Sequence, residues 1–185
     1  MRVLGIDPGS TVTGFGVVER AGAGVTHLAH GTLRPRKGAP LATRLGTLLE
    51  GLSEVIEAHA PEVVVIERVF VSASPRSALV LGQARGVAMA SAASRGVPVV
   101  EYAPSQIKQA VVGTGAATKH QVQAMVKTLL ALPKAPAQDA ADALAAAICH
   151  AHAGRLSALL EGEAPGRRGG RGRQGGRGYV VRRVR

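Results

Sequence analysis

The feature that most constrains this chain is an apolar run near its N-terminus that ends in a single carboxylate. Residues 3–7 read VLGID, and Pro8 and Gly9 follow them, so the run is typical of a buried strand that ends at a turn. Open α/β sheets place their chemistry at the carboxyl ends of the strands. Asp7 is therefore either an active-site acid or a residue that merely starts a turn, a common use of Asp before Pro-Gly.

A second run ends in the same way. Residues 62–67 read EVVVIE, a β-branched run typical of a strand covered on both faces. The leucine spacing between residues 40 and 60 predicts a helix, so this second strand can lie parallel to the first. Asp7 and Glu67 would then emerge at the same edge of one sheet. Two adjacent carboxylates raise each other's pKa unless a cation joins them, which is a first indication of a metal site.

The remaining patterns predict an α/β fold: a mixed five-stranded sheet with three antiparallel strands first and helices on both faces. Short turns separate the first three β-branched runs, which favours antiparallel neighbours. A capping box at Thr118 and Gln121 predicts the start of a helix. The expected strands are 2–7, 11–19, 24–33, 62–67 and 97–102, and the expected helices are 40–60, 76–95, 104–112, one from 118 and one around 138–148.

Two further acids, Asp139 and Asp142, lie three residues apart in an Ala-rich stretch, so on a helix they project from the same side. Alone, they would be interpreted as a solvated face near a helix start, where the helix dipole favours acids. Together with Asp7 and Glu67, they form a set of four carboxylates that suits hard divalent cations such as Mg²⁺ or Mn²⁺. Two such ions can activate a water and stabilise the leaving oxygen of a phosphodiester, which requires no Ser, Cys or His nucleophile.

Charge divides the chain into a body and a tail. The net charge is +11 and the pI is near 11.2, which indicates a polyanionic partner. Residues 165–185 contain eight Arg and no acid, whereas the first 164 residues are only mildly basic. We therefore expect one folded domain over residues 1–160 and a disordered Gly/Arg-rich basic tail over residues 161–185, which could follow phosphates without ordered structure.

Cysteine usage and hydropathy bear on the cellular compartment. Cys149 is the single cysteine, which excludes an internal disulfide and fits a reducing compartment. No N-terminal signal segment and no apolar stretch long enough to cross a membrane are found in the sequence. We expect a cytoplasmic protein with no membrane association.

Five motifs in order carry a family resemblance, and they span the whole expected domain. The motifs are GIDPGS (5–10), VIERVF (65–70), LGQARGVA (81–88), KQAVVGTG (108–115) and DAADALA (139–145). With them the chain resembles the RuvC family of Holliday-junction resolvases, which are nucleases with an RNase H-like fold. The resemblance implies that residues 1–160 form an RNase H-like nuclease domain.

The resemblance also implies an active site and partners. Asp7, Glu67, Asp139 and Asp142 would be the catalytic, metal-binding acids, with two Mg²⁺ or Mn²⁺ ions in each active site and products that carry a 5′-phosphate and a 3′-hydroxyl. A homodimer would nick four-way junction DNA symmetrically in DNA recombination and repair. RuvA and RuvB, the branch-migration proteins, would be its partners.

DNA contacts are implied as well. Phe70, in the loop after Glu67, would stack or wedge against unpaired bases, although without the family it would be interpreted as an apolar anchor of that loop. Lys108 and Lys119, otherwise ordinary surface lysines, would approach phosphates near the cut. Contacts to the DNA backbone, which carry little sequence information, are expected from Arg68, Arg76 and Arg85.

Two other functions fit parts of the pattern. Actin-like ATPases also place an Asp-x-Gly turn after a first strand, but they need a second phosphate-binding Asp-Gly turn, and none follows Glu67 in the sequence. A non-catalytic junction-binding module would have no reason to bring four acids together. The nuclease is the function that uses all of these residues.

Overall fold

The computed structural model describes residues 1–22, 24–68 and 74–162, with the backbone alone over 154–162. Its sheet has five strands, which lie side by side in the order 24–33, 13–21, 2–7, 63–67 and 99–102. The strands are β1 (Arg2–Asp7), β2 (Thr13–Ala21), β3 (Gly24–Leu33), β4 (Val63–Glu67) and β5 (Val99–Tyr102). The helices in the described residues are α1 (Leu41–His59), α2 (Pro75–Ala93), α3 (Pro104–Val112), α4 (Lys119–Leu129) and α5 (Gln138–Gly162).

Strand pairing confirms the predicted mixed sheet. The first three strands pair antiparallel, whereas β4 pairs parallel with β1 and β5 pairs parallel with β4. The register joins Val3 to Val63 and Ile6 to Ile66. Asp7 and Glu67, one residue further along each strand, therefore emerge side by side at the same edge of the sheet.

Helices cover both faces of the sheet, as the sequence predicted. Because side chains alternate along a strand, Val3 and Val65 face α3, α4 and α5, whereas Leu4 and Ile66 face α1 and α2. The same alternation directs Asp7 and Glu67 to the first of these faces. The two acids at the strand ends therefore share a face with the helix that bears Asp139 and Asp142.

Helix α5 lies unusually close to the strands beneath it. A Cβ placed on Gly5 would collide with the backbone carbonyl of Ala143, and one on Gly14 would collide with that of Asp139. Ala143 and Ala147 of α5 are fully buried there and add little bulk. Glycine on the strands and alanine on the helix thus allow backbone-to-backbone packing, which sets the height of the α5 acids above the sheet.

Local chemistry explains where the observed boundaries agree with the predicted ones and where they differ. The capping box is present: Thr118 Oγ1 accepts from Gln121 N at 3.3 Å, and the Gln121 side chain accepts from Thr118 N at 2.8 Å. Strand β2 begins at Thr13 rather than at residue 11, since Thr13 Oγ1 bonds both Gly9 N and Gly9 O and closes the intervening turn.

Some expectations fall on parts of the chain that the structure does not describe. Phe70 lies outside the described residues, and so does the predicted tail from residue 163 onwards. Within the described ranges, none of the helices combines the length and the apolar character needed to span a membrane.

Candidate active site

Three of the four predicted acids and both predicted lysines line one cavity of about 240 Å³. Asp7 and Glu67 enter it from the ends of β1 and β4, and Asp142 enters from α5. Lys108 reaches it from the middle of α3, and Lys119 from the first turn of α4. The remaining wall is largely apolar and consists of Pro104, Ile107, Val122 and Ala145.

The carboxylates of this cavity repel one another. The pKa of Asp7 is raised to about 7, first by burial and then by the charges of Asp142, Glu67 and Asp139, against the opposing charge of Lys119. Burial also raises the pKa of Glu67, with the charge of Asp142 as the next cause. Asp139 does not line the cavity, but its charge acts on Asp7 and so places it within the same electrostatic group.

Lys119 partly offsets this repulsion. Its Nζ lies 3.5 Å from Asp142 Oδ2, and its charge and hydrogen bond lower the pKa of Asp142 against the larger, opposing effect of burial. The Lys119 side chain is 66% exposed, so the ion pair is worth about 1 kcal/mol at most. Such a lysine can exchange its carboxylate for a phosphate at little cost.

The donor chemistry fits a divalent metal, although the ligands do not form a tight preassembled group. In the described part of the chain, no three Asp, Glu, His or Cys side chains stand close enough to make a ready metal cluster. The oxygen-only donors are nevertheless those that Mg²⁺ and Mn²⁺ prefer. A cation among them would relieve the repulsion that raises the pKa of Asp7.

Arg85 supports this site from the opposite face of the sheet. Its guanidinium donates a hydrogen bond to the backbone carbonyl of Glu67 at 2.6 Å and forms an ion pair with Glu101 of β5. The Arg85 side chain is only 16% exposed. The sequence predicted Arg85 as a DNA contact and did not single out Glu101. The sequence did contain one signal for such a buried pair: Arg85 is a cation among small residues on a helix that covers the sheet.

The other predicted cations lie around the same edge of the sheet. Arg68 directly follows Glu67, is exposed, and donates its backbone N–H to Tyr102 O at 2.7 Å. Arg76 is exposed in the first turn of α2. The sequence did not single out Arg44, which comes from α1 and lies 3.4 Å from both the backbone carbonyl and the hydroxyl of Ser10, next to the Asp7 turn.

Fold and site together define a class of protein. The features of an RNase H-like nuclease are present. The sheet is mixed and has three antiparallel strands first, acids lie at the ends of two neighbouring parallel strands, and further acids lie on a closely packed helix. Nucleases of this type are metal-dependent.

Comparison with known proteins gives the family within this class. The family model described as crossover junction endodeoxyribonuclease RuvC matches residues 3–150. Proteins of that name from Paraburkholderia phymatum and Burkholderia vietnamiensis are 54% and 51% identical to this chain, and the matches cover 90% and 95% of it and 92% and 98% of the relatives. The chain belongs to the RuvC family of crossover junction endodeoxyribonucleases, as the five motifs predicted.

A solved structure agrees with this assignment. Thermus thermophilus RuvC in complex with Holliday junction substrate is 38% identical to this chain, with a TM-score of 0.80, and the match covers 85% of this chain and 96% of that one. The yeast mitochondrial Holliday junction resolvase Ydc2 has a TM-score of 0.60 at 13% identity, which is a likeness of fold alone.

Proposed function

We propose that this chain resolves four-way DNA junctions by paired symmetric nicks, as a structure-selective endonuclease of DNA recombination and repair. The observation that carries the proposal is the cavity in which Asp7, Glu67 and Asp142 meet Lys108 and Lys119. Acids alone would repel DNA, and lysines alone would only bind it. The combination in a member of the RuvC family supports phosphodiester hydrolysis.

Each residue of the site has a stated part in this reaction. Asp7, Glu67, Asp139 and Asp142 would hold two Mg²⁺ or Mn²⁺ ions, which supply an activated water and neutralise charge on the phosphate. Lys108 and Lys119 draw the strand towards the acids, because each is a cation that a phosphate oxygen can reach. The products carry a 5′-phosphate and a 3′-hydroxyl.

Other residues place the acids and the substrate. Arg85 holds the end of β4 through the Glu67 carbonyl, which keeps that carboxylate beside Asp7. Phe70, which follows in the loop, stacks against unpaired bases in this proposal. Arg68 and Arg76 add backbone contacts, and the Gly/Arg-rich tail, residues 161–185, adds further contacts with phosphates.

Symmetric cutting requires two active sites, so the proposal includes a homodimer. Helix α2 is the expected contact, and its small residues together with Leu79, which is 70% exposed, support this. RuvA and RuvB are the expected partners that bring the junction to the dimer. A DNA substrate also supports a cytoplasmic location.

Two alternatives are less well supported. An actin-like ATPase requires a second phosphate-binding turn, and the β4 end carries Glu67 and Arg68 instead. A non-catalytic junction-binding module would gain nothing from burying Asp7 beside other acids, where burial and then their charges raise its pKa to about 7.

The Asp7→Asn variant tests the reaction directly. It should bind a four-way junction as well as the unaltered chain does, but nick it at least about 1,000-fold more slowly, since it loses a carboxylate at the centre of the site. Nicking of a junction, a fork and a plain duplex is measured with Mg²⁺, Mn²⁺ or EDTA. Glu54→Gln, at an exposed acid of α1, is the matched control. A normal nicking rate for Asp7→Asn would disprove the mechanism.

A further inference from the structure

A strongly basic surface lies next to the Asp7 turn, outside the acid cavity, and of its cations only Arg76 has been given a DNA contact above. Two adjoining cavities of about 350 and 440 Å³ both include Arg44 in their walls, and we call them together the Arg44 groove. No acidic residue is found among the described residues that line the two cavities. The cations of the groove are Arg34, Arg36, Lys37, Arg44 and Arg76.

The groove and the acid cavity lie on opposite sides of the catalytic edge. The acid cavity is lined from α3, α4 and α5, whereas the Arg44 groove is lined from α1, α2 and the connector between β3 and α1. Ser10, three residues after Asp7, lies in the wall of the groove and contacts the Arg44 guanidinium at 3.4 Å. The two surfaces therefore share the 7–10 turn as a border.

The cations of the groove are largely uncommitted to protein partners. None of the five forms an ion pair with another described residue. Among the described residues, the Arg34 side chain donates to Thr32 Oγ1 at 3.2 Å, and Arg44 Nη1 makes two long hydrogen bonds to Ser10, whereas Arg44 Nε is buried. A guanidinium has five N–H donors, so those of Arg34 and Arg44 that are neither bonded nor buried remain available for an anion.

The connector between β3 and α1, which carries three of these cations, is anchored to the domain by buried residues. Pro35 and Ala39 are buried, and Ala39 N donates to Arg36 O at 3.2 Å to close a turn. Arg36 and Lys37 are exposed between these anchors, and Arg34 is exposed directly before the first of them. The described residues of the walls form a row of positioned charges of one sign without an aromatic side chain among them, which suits a sugar–phosphate backbone.

We propose that the Arg44 groove binds the phosphate backbone of a junction arm, next to the strand that the acid cavity holds. The inference rests on the proposed function, since it names a second contact surface for the same DNA. A branched substrate presents diverging backbones, so one can lie over the acids while another follows the groove across the Asp7 turn. Arg44, at the centre of the groove, links the two cavities into one track.

The test compares two pairs of neutralised cations in the full-length chain. Arg36→Gln/Lys37→Gln removes two charges from the groove, and Lys127→Gln/Lys134→Gln removes two exposed charges from α4 and its following connector. Junction binding is measured in EDTA over a range of NaCl concentrations. The groove variant should bind about tenfold more weakly at 0.1 M salt, and its slope of log K against log salt should fall by about 2. The control should keep the slope of the unaltered chain.

Each outcome decides the inference. An unchanged slope for the groove variant, or an equal fall for the control, would overturn it. If the groove variant has no cooperative thermal transition, Arg36→Gln alone takes its place, with an expected slope change of about 1. These measurements are made without metal, so they do not depend on cutting. Failure of the unaltered chain to nick junctions with Mg²⁺ or Mn²⁺ would count against the proposed function separately.

Discussion

The helices pack differently on the two faces of the sheet, and the difference matches the charges of each face, which are acids on one and cations on the other. On one face α5 packs backbone against backbone over Gly5 and Gly14 and brings its acids to the strand ends. On the other face α1 and α2 pack through ordinary apolar side chains such as Leu52, and the exposed cations of the Arg44 groove lie at their border.

This difference in packing indicates which kind of charge needs precise placement. Carboxylates that share a cation must lie within a few tenths of an ångström of their working positions, and a backbone contact allows little freedom. A cation that attracts a phosphate from solution can instead use a long, flexible side chain. Tight packing is therefore expected to matter more on the α5 face than on the α1 face.

Among the tests of this difference between the faces, adding one methyl group to the α5 face should have the largest effect on packing. Gly14→Ala puts a Cβ against the backbone of Asp139 and Ala140, so α5 must move. We expect a loss of about 2–3 kcal/mol of stability, typical of overpacking, and about a 100-fold slower nicking rate because the acids are displaced. Chemical denaturation and single-turnover nicking measure the two losses.

The same substitution on the other face is the control. A Cβ at Gly46 of α1 meets nothing within 4 Å, so Gly46→Ala should leave nicking unchanged and stabilise the protein by up to about 1 kcal/mol through helix propensity. Equal losses of stability and of nicking rate in Gly14→Ala and Gly46→Ala would contradict the distinction between the two faces.

The next effect tests the repulsion among the acids by changing pH. Burial first, and then the charges of Asp142, Glu67 and Asp139, raise the pKa of Asp7 to about 7, so the folded state binds more protons than the unfolded state between about pH 4 and 7. Stability should therefore fall as pH rises through this window. Asp7→Asn avoids that loss and, in EDTA, should be more stable than the unaltered chain at pH 8 by up to about 4 kcal/mol, since the shift is about three pKa units.

The difference should vanish below about pH 4, where Asp7 is protonated in both the folded and the unfolded state. Thermal melts of both chains across this pH range give the measurement, with Glu54→Gln as the exposed control. If the stability of Asp7→Asn exceeded that of the unaltered chain by the same amount at every pH, the cause would be packing and not charge.

The smallest effect concerns Arg85, which lies on the α2 face but acts on the acid face. Arg85→Gln removes the hydrogen bond to the Glu67 carbonyl and leaves Glu101 unpaired, so we expect about tenfold slower nicking with little change in junction affinity. Arg85→Lys should restore part of the rate. Arg95→Gln, at the pair with Glu57 beyond the far end of α2, should change neither quantity.

The two readouts separate the roles that Arg85 can have. A lower nicking rate with unchanged affinity identifies a residue that positions Glu67. Weaker junction binding with an unchanged rate would instead support the DNA contact that the sequence predicted.

Much of the fold could be predicted from the sequence because its signals are local. The bounds of β1, β3 and α3 agree with the prediction, and so does the capping box that starts α4. Such signals lie within a few consecutive residues: an apolar run that ends at Pro-Gly, or a Thr followed three residues later by a Gln. The start of β2 differed because a single hydroxyl, that of Thr13, closes the turn before it.

The site was predictable only in part. Apolar strands that end in Asp7 and Glu67 indicated the acids, and parallel pairing of β1 with β4 brought those acids together. Nothing local indicated that Arg85 reaches the Glu67 carbonyl 18 residues away, or that Arg44 reaches Ser10 across 34 residues. Such contacts depend on how α1 and α2 pack against the sheet.

By itself, then, the sequence indicated the elements, four candidate acids and the family, because periodicity, turn chemistry and motif order are properties of neighbouring residues. Only the tertiary structure decided which charges meet. It placed three of the acids and two lysines around one cavity, paired Arg85 with Glu101, and brought together in the Arg44 groove five cations that form no ion pair with a described residue. The physical reason is that the energy of a charge depends on what surrounds it in space, and distant parts of the chain supply those surroundings.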